Sequence, residues 1–232
     1  AAHRNVGKVL DYWRERFLGS AYSAMGVPVL HVGVHGTING SPSNAAGLGR
    51  HAILCGDGDG VNYRSFTSLE VMAHEFTHLA CQAVGDSLLR ENLRGDGSVI
   101  HRAIEEHVCD AFALFVERDR RPESVEFGRA GLADAMWVKM DEVALRPEHR
   151  LPFDPTSEFD HVREQGRFVD PHERSRVLDK WLFLWINGGT HPQSGVRVDG
   201  TRATLGEADA FRLAEEVYHT LLLRRFLGAA SG

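Results

Sequence analysis

Apolar positions near the start of the chain, Val6, Val9, Leu10, Trp13 and Phe17, recur at the three- and four-residue steps of a helix face, with Asn5 as a candidate N-cap and Gly19 as the stop. From Val27 to Gly60 the texture changes. Short apolar runs (Val27-Pro28-Val29-Leu30, Ala52-Ile53-Leu54) are broken by Gly, Asn, Ser and Pro, which predicts strands and turns. At Thr67 the helical period returns: Thr67-x-x-Glu70 reads as a capping box ahead of Leu69, Met72, Phe76, Leu79, Ala80 and Val84, with Gly85 ending the run. A further helix is predicted from about Ser98 to Val116. It is apolar on several sides and should be largely buried. Residues 118–170 are rich in Arg, Glu and Pro and weakly periodic, as loops and short surface helices would be. Two more helices are predicted, from about Glu173 to Ile186 before Gly188-Gly189, and from about Glu207 to Phe226. There is no internal repeat. The expected fold is α+β, with a mixed α/β part over residues 1–66 and a mainly helical part over residues 67–232.

Composition narrows the function classes. The chain of 232 residues is long enough for one large domain or two lobes around a cleft, and its 43% hydrophobic and 25% charged residues exclude a disordered or fibrous reading. A net charge of -6 offers no basic footprint for nucleic acid or an anionic membrane. No stretch approaches the roughly 18 apolar residues of a membrane span, so a soluble protein is expected. Cys55, Cys81 and Cys109 cannot all pair within the chain and form no CxxC motif, which argues against a disulfide framework. The 13 histidines stand out, because imidazole is the commonest protein metal ligand.

The central motif is His74-Glu75-Phe76-Thr77-His78. Residues i and i+4 stand one above the other on a helix, so His74 and His78 can address one ion. Glu75 lies about 100° round the helix, where it can reach a water bound to that ion. A His-rich chain produces this string by chance at times, but here it falls in an amphipathic helix with its own start signal. A catalytic zinc needs a third protein ligand and an open position. The continuation HExxHxxGxxH is excluded, since Cys81 and Val84 stand where Gly and His would be needed. The next helix offers Glu105-Glu106-His107-Val108-Cys109-Asp110, ionisable groups in an otherwise apolar setting. Burying such charge without a partner is costly, and Glu106 and Asp110 are again i and i+4. One can bind metal while the other accepts an N–H from a ligand histidine. A solvated polar stripe is the plainer alternative.

With these residues in place the chain resembles the thermolysin-like (M4) zinc metallopeptidases, in a compact and divergent form. The likeness rests on Gly56-Asp57-Gly58-Asp59-Gly60, His74-Glu75-x-x-His78, the Glu106-x-x-x-Asp110 pair, and Asp170-Pro171-His172 followed by a helix to Gly188-Gly189-Thr190-His191. It implies a zincin-like, two-lobed fold with zinc (Zn2+) in the cleft and an endopeptidase acting on peptide or protein substrates. It further implies His74, His78 and Glu106 as metal ligands, Glu75 as general base and His172 as the donor to the oxyanion. Asp110 would be the partner of a ligand histidine. Asn44 and Ala45 would lie on an edge strand that binds extended substrate, and Arg150, with Arg146 as a rival, would hold a substrate carbonyl. Tyr63 and Phe66 near the cleft, with Val71 on the active-site helix, would favour an apolar side chain in the substrate.

The pattern also departs from that family. Arg167 stands where an aspartate would orient the oxyanion histidine, and Asp170 is the nearby substitute. The oxyanion tyrosine is missing, with His101 or His107 as candidate replacements. For calcium (Ca2+), Glu70, Glu117 and Glu126 match carboxylate positions, but Ser124 and Arg129 remove oxygens and add positive charge, so at most one site is expected. The Gly-Asp-Gly-Asp-Gly stretch reads as a tight turn before it reads as a metal loop, and Cys81 and Cys109 read as small buried packing residues. Two other functions remain open to the sequence: a catalytically silent zinc protein binding a peptide in the cleft, and an amide hydrolase dedicated to one metabolite. On compartment the signs conflict. The resemblance implies secretion, whereas three unpaired cysteines and no apolar leader read as cytoplasmic.

Overall fold

The computed structural model describes residues 1–17, 29–85, 96–120, 138–139, 143–149, 151–152, 170–190 and 195–229. In chain order these form α1 (Ala2–Arg16), β1 (His31–Gly36), β2 (Ala45–Leu48), β3 (Ala52–Gly56), α2 (Leu69–Gly85), α3 (Asp96–Arg120), β4 (Val138–Lys139), a 3-10 turn (Pro147–His149), β5 (Leu151–Pro152), α4 (Pro171–Asn187), β6 (Gly189–Thr190), β7 (Arg197–Val198), α5 (Thr201–Leu205) and α6 (Glu207–Ala229). The protein is mixed helix and strand, and mostly helical. None of the described helices is long and apolar enough to cross a membrane.

The sheet that matters for the site has the order β1-β3-β2. β3 pairs parallel to β1 and antiparallel to β2, with Ala45 opposite Cys55 and Leu48 opposite Ala52. β2 is therefore an outer strand. It approaches α2 so closely that a Cβ on Gly47 would lie 3.0 Å from the Glu75 carbonyl oxygen and 3.1 Å from Leu79. Glycine is the residue that allows this approach.

Behind α2 lies an aromatic core. Trp13 of α1 stacks on Phe17 at 4.5 Å and touches Phe76 of α2 at 5.3 Å and Phe112 of α3 at 5.0 Å between ring centroids. Aromatic pairs at such distances add stability beyond simple area burial. One continuous cluster of buried apolar residues runs from Val6 through Ile53 and Phe112 to Leu222, so the same core backs both the sheet and the helices. α2 and α3 run antiparallel, with His74 opposite Asp110 and His78 opposite Glu105.

Two helix starts differ from the sequence expectation. α1 begins at Ala2 and Asn5 lies inside it; the Asn5 side-chain amide donates instead to the Thr67 carbonyl at 2.7 Å. α2 begins one residue later than a Thr67 cap requires. The Ser68 hydroxyl accepts from the Val71 N–H at 3.2 Å, while the Thr67 hydroxyl pairs with Ser65 at 3.3 Å. The Gly-Asp-Gly-Asp-Gly stretch is a turn: Gly58 and Gly60 have positive φ, and Asp59 Oδ1 accepts the backbone N–H groups of Val61, Asn62 and Tyr63 at 2.7–2.9 Å. Those amides, Tyr63 first, hold the Asp59 carboxyl well below the usual range.

Candidate metal centre

His74 and His78 project from one face of α2, as their spacing dictates. Their Nε2 atoms are 3.2 Å apart. Glu106 Oε2 comes across from α3 to within 3.2 Å of His74 Nε2 and 3.3 Å of His78 Nε2. On the far side of each ring, Nδ1 faces a carboxylate: Asp110 Oδ1 for His74 and Glu105 Oε1 for His78, both at 3.0 Å. A carboxylate accepts, so each Nδ1 carries a hydrogen and donates it. Each Nε2 is thereby left to present its lone pair to the common centre.

This triangle fits a metal. Bonds of about 2.0–2.1 Å in a tetrahedral set give ligand-to-ligand edges of roughly 3.3–3.4 Å, close to the spacing of these three atoms. Glu106 Oε2 is buried and makes no well-formed hydrogen bond, although imidazole nitrogens crowd it. Glu75, Glu105, Glu106 and Asp110 surround the two rings, so the pocket requires positive charge. In the metal-free state protons supply it. Burial opposes charging either ring, yet the hydrogen bond to Asp110 and the close contact with Glu106 hold the His74 pKa well above the ordinary value, and the hydrogen bond to Glu105 with the contact to Glu106 lifts His78 to about 10. Glu106 is pushed the other way. Burial disfavours its charge, but the contacts with His74 and His78 outweigh that and keep it far below the usual carboxylate range.

A thiol also borders the centre, because Cys109 Sγ lies within 4.8 Å of donor atoms of His74 and His78. Glu106 and Cys109 are thus alternative third donors beside the two imidazoles: the contacts with His74 and His78 favour the ionised form of Glu106, whereas burial, followed by the contact with Cys81, pushes the Cys109 thiol well up.

The remaining site residues arrange around this centre. Glu75 is buried next to β2, and its Oε2 accepts the Gly47 N–H at 2.8 Å. Asn44 directly precedes β2, with its carbonyl accepting from the Gly56 N–H and its Oδ1 from the Ala45 N–H, both at 2.9 Å; Ala45 begins the strand and is buried. His172 sits in the first turn of α4, its side chain 64% exposed, with Nε2 3.3 Å from Glu106 Oε2. Asp170 caps that helix and turns the ring at once, because its Oδ1 accepts both the His172 backbone N–H and Nδ1 at 2.9 Å. Glu70 is buried in the first turn of α2, and Glu117 is half-buried near the end of α3. Arg150 and Glu126 lie outside the described residues. The rival Arg146 is exposed and 4.0 Å from Glu148.

Some sequence expectations change here. His107 is no substitute for the missing oxyanion tyrosine: it is buried, hydrogen-bonded through Nδ1 to Asp179 at 2.8 Å and through Nε2 to the Tyr218 hydroxyl. Phe66 and Val71 are buried in the core. Two participants were not anticipated. Glu105, next to the candidate ligand Glu106, had a sequence signal in that adjacency. The Gly47 N–H had none, since a backbone donor leaves no letter in the sequence.

Residues 1–82 match the family model described as thermolysin metallopeptidase, catalytic domain, a span that includes the HExxH motif and stops short of Glu106 and His172. Bacillolysin from Bacillus cereus is 30% identical over 207 residues, covering 86% of this chain and 33% of that protein. Neutral protease B from Bacillus subtilis (strain 168) is 25% identical over 217 residues, covering 91% of this chain and 36% of its own length. Neutral protease NprE from Bacillus pumilus is 36% identical over 115 residues, or 49% of this chain and 34% of that one. The chain thus spans about a third of the length of these relatives. Across those matches, and at modest identity, the chain is a relative of the thermolysin-like (M4) metallopeptidases.

Proposed function

We propose that the protein is a zinc-dependent peptidase that cleaves internal peptide bonds by water activation. The carrying observation is the triangle of His74 Nε2, His78 Nε2 and Glu106 Oε2, whose edges of 3.2–3.3 Å suit one tetrahedral ion. The names of its relatives, bacillolysin and neutral protease, favour peptides over other amides. A zinc ion held there would acidify a water and polarise the scissile carbonyl.

The chain's own residues then have separable tasks. Glu75, anchored through Oε2 by the Gly47 N–H, takes the proton of the attacking water on Oε1 and later delivers it to the leaving amine. His172, oriented at Nδ1 by Asp170, donates from Nε2 to the developing oxyanion at the mouth of the site. β2 presents its outer edge beside Glu75, so an extended peptide can add as a further strand, with Asn44 and Ala45 at its entry. In this reading the sheet side and the helical side are the two lobes, with the zinc between them. Arg150 and the calcium positions Glu70, Glu117 and Glu126 carry no part of it.

The test is Glu75→Gln, assayed by zinc content and by cleavage of a mixed peptide library. Retained zinc with cleavage reduced by at least about two orders of magnitude is expected. An unchanged rate in a zinc-loaded variant would sink the assignment of Glu75, and a wild type that holds zinc but cleaves nothing would point to a peptide-binding role.

A further inference from the structure

Four residues of α3 turn towards the histidine pair from one side of that helix: Glu105, Glu106, Cys109 and Asp110, at positions i, i+1, i+4 and i+5. Three of them have a place in the site already. Asp110 and Glu105 accept from the outer nitrogens of His74 and His78, and Glu106 closes on the two inner ones. Cys109 lies among them, four residues past Glu105 and three past Glu106. It is wholly buried, and its sulfur and one ring nitrogen of each histidine lie within 4.8 Å of one another. From the sequence Cys109 reads as small buried packing; the burial holds, and the structure adds what it is buried against.

We propose that the centre has a second donor set, His74, His78 and Cys109, in which a thiolate replaces the Glu106 carboxylate and which takes soft, thiophilic ions such as cadmium. This donor set rests on the metal reading of the site and extends it to which ion is held by which atoms. Softness decides between the two third donors, since a carboxylate suits a hard or borderline ion and sulfur a soft one. Charge does not oppose the exchange. Each donor carries one negative charge when bound, and the thiol proton leaves to solvent as the ion binds.

Size points the same way. With bonds of about 2.0–2.1 Å to nitrogen and about 2.3 Å to sulfur, zinc would need a nitrogen–sulfur edge of roughly 3.5–3.6 Å. Donors separated by up to 4.8 Å suit a larger ion with longer bonds. The released carboxylate is not stranded, because Glu106 Oε2 already lies 3.3 Å from His172 Nε2. Both sets share the two imidazoles, so a soft ion seated there excludes zinc and competes with it.

The experiment titrates zinc and cadmium into the full chain and into Cys109→Ser, Cys109→Ala and Glu106→Gln, with affinities read by competition with a chromogenic chelator. The ultraviolet sulfur-to-cadmium charge-transfer band reports a bound thiolate directly. The wild type is expected to bind cadmium with that band and to lose the band when excess zinc displaces the ion. Both Cys109 variants should lose the band and at least about tenfold in cadmium affinity while keeping their zinc affinity, which also shows that they fold. Glu106→Gln should keep the band and lose zinc affinity by a similar factor. A cadmium-loaded wild type without the band overturns the second donor set and leaves the zinc reading standing. So does a band that survives in the Cys109 variants, because Cys55 or Cys81 then supplies the sulfur. Equal loss of both ions in Cys109 variants that retain the wild-type circular dichroism overturns the division of ions between the donors. A wild type that binds neither ion removes the metal reading itself, and the second donor set with it.

Discussion

Asp110 shows how one carboxylate sets the chemistry of its neighbour. It touches the far nitrogen of His74 at 3.0 Å and so fixes which nitrogen faces the centre. Asp110→Ala should free the ring, leave its Nδ1–H unpaired and lower its basicity, weakening zinc binding about 10–100-fold in a chelator competition. Glu105→Ala should act in the same direction on His78 but less, because its side chain is the more exposed of the two. Unchanged affinity in Asp110→Ala would mean that His74 is not held for a metal. At this scale the helix period made the candidate residues legible: His74, His78, Glu75 and the Glu106/Asp110 pair follow from spacing on single helices, and the structure brings His74, His78, Glu106 and Asp110 together. Which carboxylate serves which histidine was not legible, because it depends on the antiparallel register of α2 and α3. The role of Gly47 was hidden for another reason, since its contribution is a backbone N–H and an absent Cβ.

Elements were readable in kind and blurred at their ends. The hydrophobic period of α1 was clear, but Asn5 found a tertiary acceptor in Thr67 O and was not free to cap. Adjacent hydroxyls at Thr67 and Ser68 offer two helix starts that sequence alone cannot rank, and packing chose Ser68. The C-terminal helices hide a stronger surprise. α4 buries Arg174, Asp179 and Lys180, which its sequence would place on a solvated face. Asp179 reaches His107 on α3, whose other nitrogen meets Tyr218 on α6, so this polar chain ties the helix bearing His172 to the helix bearing Glu106. Removing one partner of a buried pair leaves the other uncompensated. Asp179→Ala should therefore cost about 3–5 kcal/mol in urea unfolding. Arg14→Ala, which breaks an exposed pair with Asp11, should stay within about 1 kcal/mol. Equal effects for the two variants would contradict a structural role for the network.

For the whole molecule, the proposed ligand set bridges two helices that share the aromatic core, so a bound metal should stabilise the entire fold. An ion that binds the folded state alone adds RT ln(1 + [L]/Kd), about 2.7 kcal/mol at a free concentration one hundred times Kd. For a domain of this size that corresponds to a rise of roughly 5–10 °C in Tm. The gain should depend on pH with a definite sign. In the metal-free site His78 titrates near 10 and His74 is raised as well, so zinc must displace protons that the site still holds at neutral pH. Affinity, and with it the zinc-induced rise in Tm, should therefore increase as pH climbs from 6 towards 9 and shrink as pH falls. Without zinc the sign reverses for these two groups. Their raised folded pKa values make their contribution fully present below the unfolded histidine value near 6.5, and it is lost as pH rises through the folded values. Thermal melts at fixed free zinc and in chelator, compared across this range, should diverge with increasing pH; parallel curves would show that the metal does not compete with protons on His74 and His78.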